Sequence, residues 1–256
     1  MADSDAMTLV LVDKSDGVAT LTLNNPAERN SLTLPMVDAI IEAMDDIESD
    51  DSICALVVTG AAPAFCAGAN LGNLQTATTE SLSAIYKGFL RVAASPLPTI
   101  AAVNGAAVGA GMNMALGCDV RIAGRRAKFD TRFMQIGLHP GGGHTWMSRR
   151  IAGPEFVFAS VVFGEVLDGE QAEKHGLVWK CVDDDVLLDT AHEMAARAGS
   201  TPRELILATK KTIQDMADVD QHALAVEREL VPQLWSAHQP WAAERLAALQ
   251  AKISKK

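Results

Sequence analysis

Ile100-Ala-Ala-Val-Asn-Gly-Ala-Ala-Val-Gly-Ala-Gly-Met-Asn-Met-Ala-Leu-Gly-Cys-Asp119 decides how the chain is read. The apolar run after Pro98 has the make-up of a buried strand. Asn104-Gly105 is a turn signal, and Gly109, Ala110 and Gly111 follow with almost no side-chain bulk. Met112, Ala115 and Leu116 then recur at helical spacing. The stretch therefore predicts strand, tight turn, helix N-terminus. A helix start presents unpaired N–H groups and the positive end of the helix dipole. Small residues there let a ligand oxygen come close to the backbone. A second small-residue loop, Gly60-Ala-Ala-Pro-Ala-Phe-Cys-Ala-Gly-Ala-Asn-Leu71, follows the apolar run Ile53–Thr59. Two such loops could together hold one oxyanion.

Working outward, Thr8–Val12 and Val18–Leu23 flank Ser15-Asp16-Gly17 and read as a hairpin. A helix follows Thr33, with Pro35 in its first turn and an apolar stripe of Val37, Ile40, Ile41, Met44 and Ile47. Leu82, Ile85, Phe89 and Val92 mark another helix, and Val120–Ala123 another strand. Strands alternating with helices predict an α/β fold with parallel strands. From about residue 145 the pattern turns helical. Asp168 with Gln171, and Thr201 with Glu204, fit capping boxes, the second with Pro202 at the first helical position. The expected organisation is a core over residues 1–199 and a helical tail over 200–256 with little core of its own.

With 256 residues, 48% hydrophobic and 21% charged, the composition is ordinary for a globular protein. The net charge of −10 argues against non-specific nucleic-acid binding. No run is long enough to span a membrane, and no secretory leader is evident, so a soluble cytoplasmic protein is expected. Arg121, Arg125, Arg126, Lys128 and Arg132 form a basic cluster, either an anion patch or a solvated face. Cys54, Cys66, Cys118 and Cys181 are widely spaced and read as buried thiols, not metal ligands or disulfides. There is no complete GxGxxG, no P-loop, no GxSxG and no HExxH. Rossmann redox chemistry, nucleotide hydrolysis and metallo-hydrolysis are therefore poor readings, and no metal or cofactor is expected.

Several segments, in order, resemble the crotonase family, the enoyl-CoA hydratase/isomerase superfamily. They are Asn24-Asn-Pro-Ala-Glu-Arg-Asn-Ser-Leu32, Ala64-Phe-Cys-Ala-Gly-Ala-Asn-Leu71, Pro98 to Asp119, Ile136-Gly-Leu-His-Pro-Gly-Gly-Gly143, and Leu167 to Val178. The resemblance implies a spiral of ββα turns with a C-terminal helical trimerisation region, assembled as a trimer or a dimer of trimers. It implies an acyl-CoA thioester as substrate and a role in fatty-acid or related acyl-CoA metabolism. Carried over, the oxyanion donors are the backbone N–H groups of Ala69 and Ala110. The CoA contacts come from Glu28, Arg29, Ala67, Gly68, Asn70 and Leu71. Such an oxyanion hole stabilises the enolate formed when an α-proton leaves or a nucleophile adds at Cβ, and one donor is typically worth about 3–4 kcal/mol.

The chain departs from the family at its proton-transfer groups. Family hydratases use two glutamates, and the corresponding positions hold Asn113 and Phe133. Asn113 can orient a water but cannot exchange a proton, and Phe133 can do neither. A positioned acid or base contributes about 10²–10⁴-fold, so ordinary hydratase turnover should be very slow. His139 and His144 flank the glycine loop and are the candidates for a replacement base; loop histidines bonded to backbone or solvent are the plainer reading of both. Asp130 and Arg132 suggest an ion pair, and Asp119 a loop anchor. Two functions follow: an enzyme acting on a CoA thioester through an enolate, or a non-catalytic acyl-CoA binder that has lost its acid and base.

Overall fold

Val10–Ser15 (β1) and Val18–Leu23 (β2) pair antiparallel around Asp16-Gly17. Both turn residues have positive φ, as a two-residue hairpin requires. The coordinates, a computed structural model, describe residues 8–70 and 76–253. β1 is an exposed edge, whereas β2 is buried because Ala55–Gly60 (β3) lies parallel on its other side. Thr99–Val103 (β5), Val120–Gly124 (β7) and Lys180–Val182 (β10) extend this sheet in the order β1-β2-β3-β5-β7-β10. β3 and β5 are buried at every position, as befits parallel strands covered on both faces. Leu56, Val58, Ala101 and Val103 pack under Leu34–Ser49 (α1) and Thr79–Ala93 (α2). Val57, Ile100 and Ala102 face Leu187–Gly199 (α6) instead.

A second sheet consists of four short strands: Ala64–Cys66 (β4), Ala106–Val108 (β6), Lys128–Asp130 (β8) and Leu167–Asp168 (β9), in that order. Each long strand leads within a few residues to a short one and then to a helix. The units are β3-β4-α2, β5-β6 with Ala110–Gly117 (α3), and β7-β8 with His144–Val157 (α4). These three ββα turns make the crotonase spiral, the fold class expected from the sequence.

The corners between the sheets are closed by buried amides. Asn30 Nδ2 donates to the carbonyls of Ala61 and Ala64, both at 2.8 Å, while Asn30 Oδ1 accepts from Asn25 N–H at 2.9 Å. Asn104 Nδ2 donates to Gly60 O at 2.6 Å. Each satisfies carbonyls that the turn removes from the strand ladder.

After Gly169–Lys174 (α5) and α6 come three more helices, Arg203–Asp215 (α7), His222–Ala237 (α8) and Pro240–Ile253 (α9). α7 is tied down by Arg203 Nε to Ile53 O at 2.9 Å. Lys210 Nζ also reaches Leu97 O at 2.7 Å and Asp119 Oδ2 at 2.6 Å. α8 and α9 bury no residue.

Two sequence expectations need correction, and a third reading is narrowed to one of its two alternatives. The region after 145 is not purely helical, since β9 joins the second sheet and β10 pairs with β7. The capping box at Asp168 and Gln171 forms, but the one at Thr201 and Glu204 does not. Pro202, extended at ψ 128, is itself the N-cap, so the helix starts one residue late, and Glu204 accepts from Trp241 Nε1 instead. The basic cluster is not an anion patch. Arg121 donates to the carbonyls of Leu177 and Cys118, Arg125 pairs with Asp183 and Glu170, Arg126 with Asp184, and Arg132 with Asp130.

Gly111 is fixed by close approach. A Cβ there would lie 2.1 Å from the Cys66 carbonyl oxygen. Gly111→Ala should therefore force α3 away from β4 and cost about 1–3 kcal/mol, the usual range for overpacking. Thermal melts of the variant beside the parent check this.

Candidate active site

The first turn of α3 and the loop after β4 meet through glycines. A Cβ on Gly68, which has φ +90, would lie 2.5 Å from Val108 O and 3.5 Å from Ala110 N. Only glycine serves at such a position. The loop after β4 is held from its other side by the N-terminal loop. Ala67 N–H donates to Arg29 O at 2.9 Å, Leu32 N–H to Gly68 O at 2.7 Å and Asn70 N–H to Leu32 O at 3.2 Å. Leu32 and Ala69 thus form a parallel bridge whose bonds use the amides on either side of Ala69. The Ala69 N–H has no hydrogen-bond partner among the described residues. Ala110 is the first residue of α3, so its N–H has no acceptor within the helix, and it too has none elsewhere among the described residues. Two unused amides therefore sit on adjoining loops.

Ala69 borders a cleft of about 330 Å³ whose walls include Leu32, Leu34, Asn70, Leu82 and Ile85. Glu28 and Arg29 are exposed on the rim formed by the short 3-10 turn Pro26–Glu28. Of these neighbours Asn70 lines the cleft, Arg29 adjoins Ala67 through the bond given above, and Gly68 is buried. Leu71 lies outside the described residues.

Asn113 is one turn further along α3. It is 2% exposed, and its N–H bonds to Gly109 O at 3.0 Å. Its Nδ2 donates to Gly141 O at 3.0 Å, and its Oδ1 meets His144 Nδ1 at 2.8 Å. Phe133 packs edge-on against the same imidazole, ring centroids 5.1 Å apart. The Phe133 segment reaches the site because Gly109 N–H bonds to Asp130 O at 3.0 Å. His144 therefore touches both Asn113 and Phe133. His139 does not join them: its exposed ring bonds the carbonyl of Pro140 at 2.7 Å.

His144 is 1% exposed. Burial pushes its imidazole down to about 4, and its place at the first residue of α4 acts in the same direction. Cys66 is the thiol closest in sequence to the Ala69 amide, and burial raises it to about 12, so it supplies no thiolate nucleophile at neutral pH. Among the described residues no group of three His, Cys, Asp or Glu side chains is arranged to hold a metal ion. No helix among them is long and apolar enough to cross a membrane.

Sequence reading missed Tyr86, the chain's one tyrosine. Its ring packs on Phe89, and a Cβ on Gly141 would lie 2.3 Å from its hydroxyl oxygen. A tyrosine within an amphipathic helix carries no signal of that placement.

The sequence profile of the enoyl-CoA hydratase/isomerase family matches residues 13–240. The chain belongs to this family. It is 47% identical to a probable enoyl-CoA hydratase of Mycobacterium tuberculosis, over 98% of this chain and 99% of the relative. It is 39% identical to the 1,2-epoxyphenylacetyl-CoA isomerase of Escherichia coli over 77% and 78%. Among solved structures, an enoyl-CoA hydratase from Bacillus anthracis superposes with a TM-score of 0.87 at 28% identity, covering 97% of each chain. An enoyl-CoA hydratase subunit from Geobacillus kaustophilus gives 0.87 at 25% identity over 95% of each.

The depressed imidazole makes a stability prediction. His144 takes up a proton in the unfolded chain near its ordinary 6.5, but in the folded protein only near 4. Between those values the unfolded state binds more protons, so the contribution is full above pH 6.5 and lost as pH falls toward 4. The stability gap between the parent and His144→Gln should therefore narrow by about 2–3 kcal/mol from pH 7 to pH 4.5. Denaturant melts at the two pH values measure it; an unchanged gap would mean a normally titrating imidazole.

Proposed function

We propose that this family member is an enzyme that binds an acyl-CoA thioester with its carbonyl oxygen on the Ala69 and Ala110 amides. It acts through the resulting enolate by moving protons along the acyl chain, not by adding water. The observation that carries this reading is the pair of unused amides on adjoining loops at the edge of the cleft. Donors fixed in place cost no reorganisation when negative charge develops on the oxygen. The proposed CoA contacts are Glu28, Arg29, Ala67, Gly68, Asn70 and Leu71, of which Asn70 lines the cleft. Relatives named as a hydratase and as an isomerase both support thioester chemistry. The isomerase half fits better, because Asn113 and Phe133 offer no carboxylate to activate and protonate across a double bond. The same two residues favour a second reading, an acyl-CoA binder without turnover.

A panel of saturated, 2-enoyl and 3-enoyl CoA esters separates these. The enzyme reading expects turnover of an isomerisable ester and hydration of crotonyl-CoA far below the ordinary enzymatic range of about 1–10³ s⁻¹. Binding without any turnover establishes the second reading. Ala110→Pro is a focused check, since proline is tolerated at the first helical position but removes the N–H. It should lower kcat by about 10²–10³-fold with the melting temperature little changed.

The assembly proposed is a trimer or a dimer of trimers. α8 and α9 bury nothing within the chain and expose Leu230, Val231, Leu234, Leu246, Leu249 and Ile253, more apolar surface than a monomer usually leaves in water. Sedimentation equilibrium at micromolar concentration should give three or six times the chain mass; a stable monomer would refute it.

A further inference from the structure

Accepting the acyl-CoA reading above, we infer that Nε2 of His144 is the base that removes and returns the substrate proton, with Asn113 as the residue that positions it. The orientation of the ring is fixed by a chain of two hydrogen bonds. Gly141 O can only accept, so it selects the NH₂ end of the Asn113 side chain, at 3.0 Å. The carbonyl end then faces His144 Nδ1 at 2.8 Å. An amide oxygen also only accepts, so in the neutral ring Nδ1 carries the hydrogen and Nε2 keeps its lone pair. That lone pair is buried and has no hydrogen-bond partner among the described residues. Buried polar atoms are nearly always partnered, and an exception asks for a reason.

The place is right for such a role. Asn113 begins the turn after Ala110, and Phe133, against the imidazole, also lies 4.0 Å from where a Cβ of Gly109 would be. The ring therefore stands one helical turn from the Ala110 amide. Phe133 is the aromatic partner of the ring, with the centroids 5.1 Å apart. Asp130 Oδ1 is the other buried side-chain atom without a partner among the described residues. Its carboxylate is already engaged by Arg132, whose Nε is 3.0 Å from Oδ2.

The chemistry balances without water or any co-reactant. Nε2 takes a proton from Cα of a 3-enoyl thioester. The C–H bond breaks, an N–H bond forms, and the electron pair moves into the thioester carbonyl, whose oxygen rests on the two amides. The imidazolium then gives its Nε2 proton, the one taken or one exchanged with solvent, to Cγ. The N–H bond breaks, a C–H bond forms, and the double bond shifts from Cβ–Cγ to Cα–Cβ. The enolate is the counter-charge that favours the imidazolium while it exists.

The test uses butyryl-CoA, which has an α-proton and no double bond, incubated with the full chain in D₂O. Mass spectrometry follows deuterium uptake at Cα, and calorimetry follows binding. The parent should exchange, and His144→Gln should lose at least about 10²-fold of that rate with its affinity for butyryl-CoA retained. Exchange that survives in His144→Gln, or is lost in Asp130→Asn while His144→Gln keeps it, overturns the assignment. Binding without exchange in the parent overturns it too, and leaves the acyl-CoA reading standing. No binding of butyryl-CoA or of longer acyl-CoA esters overturns both. A measurement on the unaltered protein guards against a variant that fails to fold. Nitrogen-15 shifts of His144 should report hydrogen on Nδ1 alone, and Asn113→Leu should abolish that preference; hydrogen on Nε2 in the parent refutes the inference.

Discussion

The whole site depends on one close approach, the first turn of α3 pressed onto the end of β4. Gly111 has the Cys66 carbonyl where its side chain would be, and Gly68 has that of Val108. Both contacts are between main chains, so no rotamer change could relieve a side chain there. With them in place, the loop carrying Ala69 and the helix start carrying Ala110 adjoin. The crossing of β3 into β4 and of β5 into β6 brings the two segments to that meeting. Asn30 and Asn104 hold the corners by accepting the bonding duties of carbonyls that leave the ladder.

How legible this was depended on length and periodicity. β3 and β5 were plain in the sequence because four to six apolar residues in a row have few other uses. β4, β6 and β8 are three residues each, too short for any alternation to register, so the second sheet could be reached only through the family resemblance. β10 is hidden for the same reason, in a segment where helical pattern surrounds it. The two small-residue loops were readable as neighbours because their composition serves nothing else well. The contact between Asn113 and His144 was not readable, since 31 residues separate them and neither carries a pattern that names the other. The arginine cluster shows the opposite failure: its charges were visible, but their acidic partners come from β10 onward and from α5.

Electrostatically, the site keeps a place for negative charge and is poor in free carboxylates. The residues around the imidazole are an amide, an aromatic ring and glycine backbone. Such surroundings disfavour a standing ion pair and leave the imidazole neutral at pH 7. Charge in this pocket is thus tolerated best when both signs arise together.

The amides of Ala69 and Ala110 belong to the main chain, and this has a consequence for inheritance. A missense change at either codon rewrites the side chain and leaves the N–H in place, with proline the single exception. The side chains at 113, 133 and 144 enjoy no such protection: one nucleotide can exchange a proton-transfer group for an inert one. Divergence from a common ancestor can therefore change those side chains repeatedly while the two unused amides pass unaltered from copy to copy.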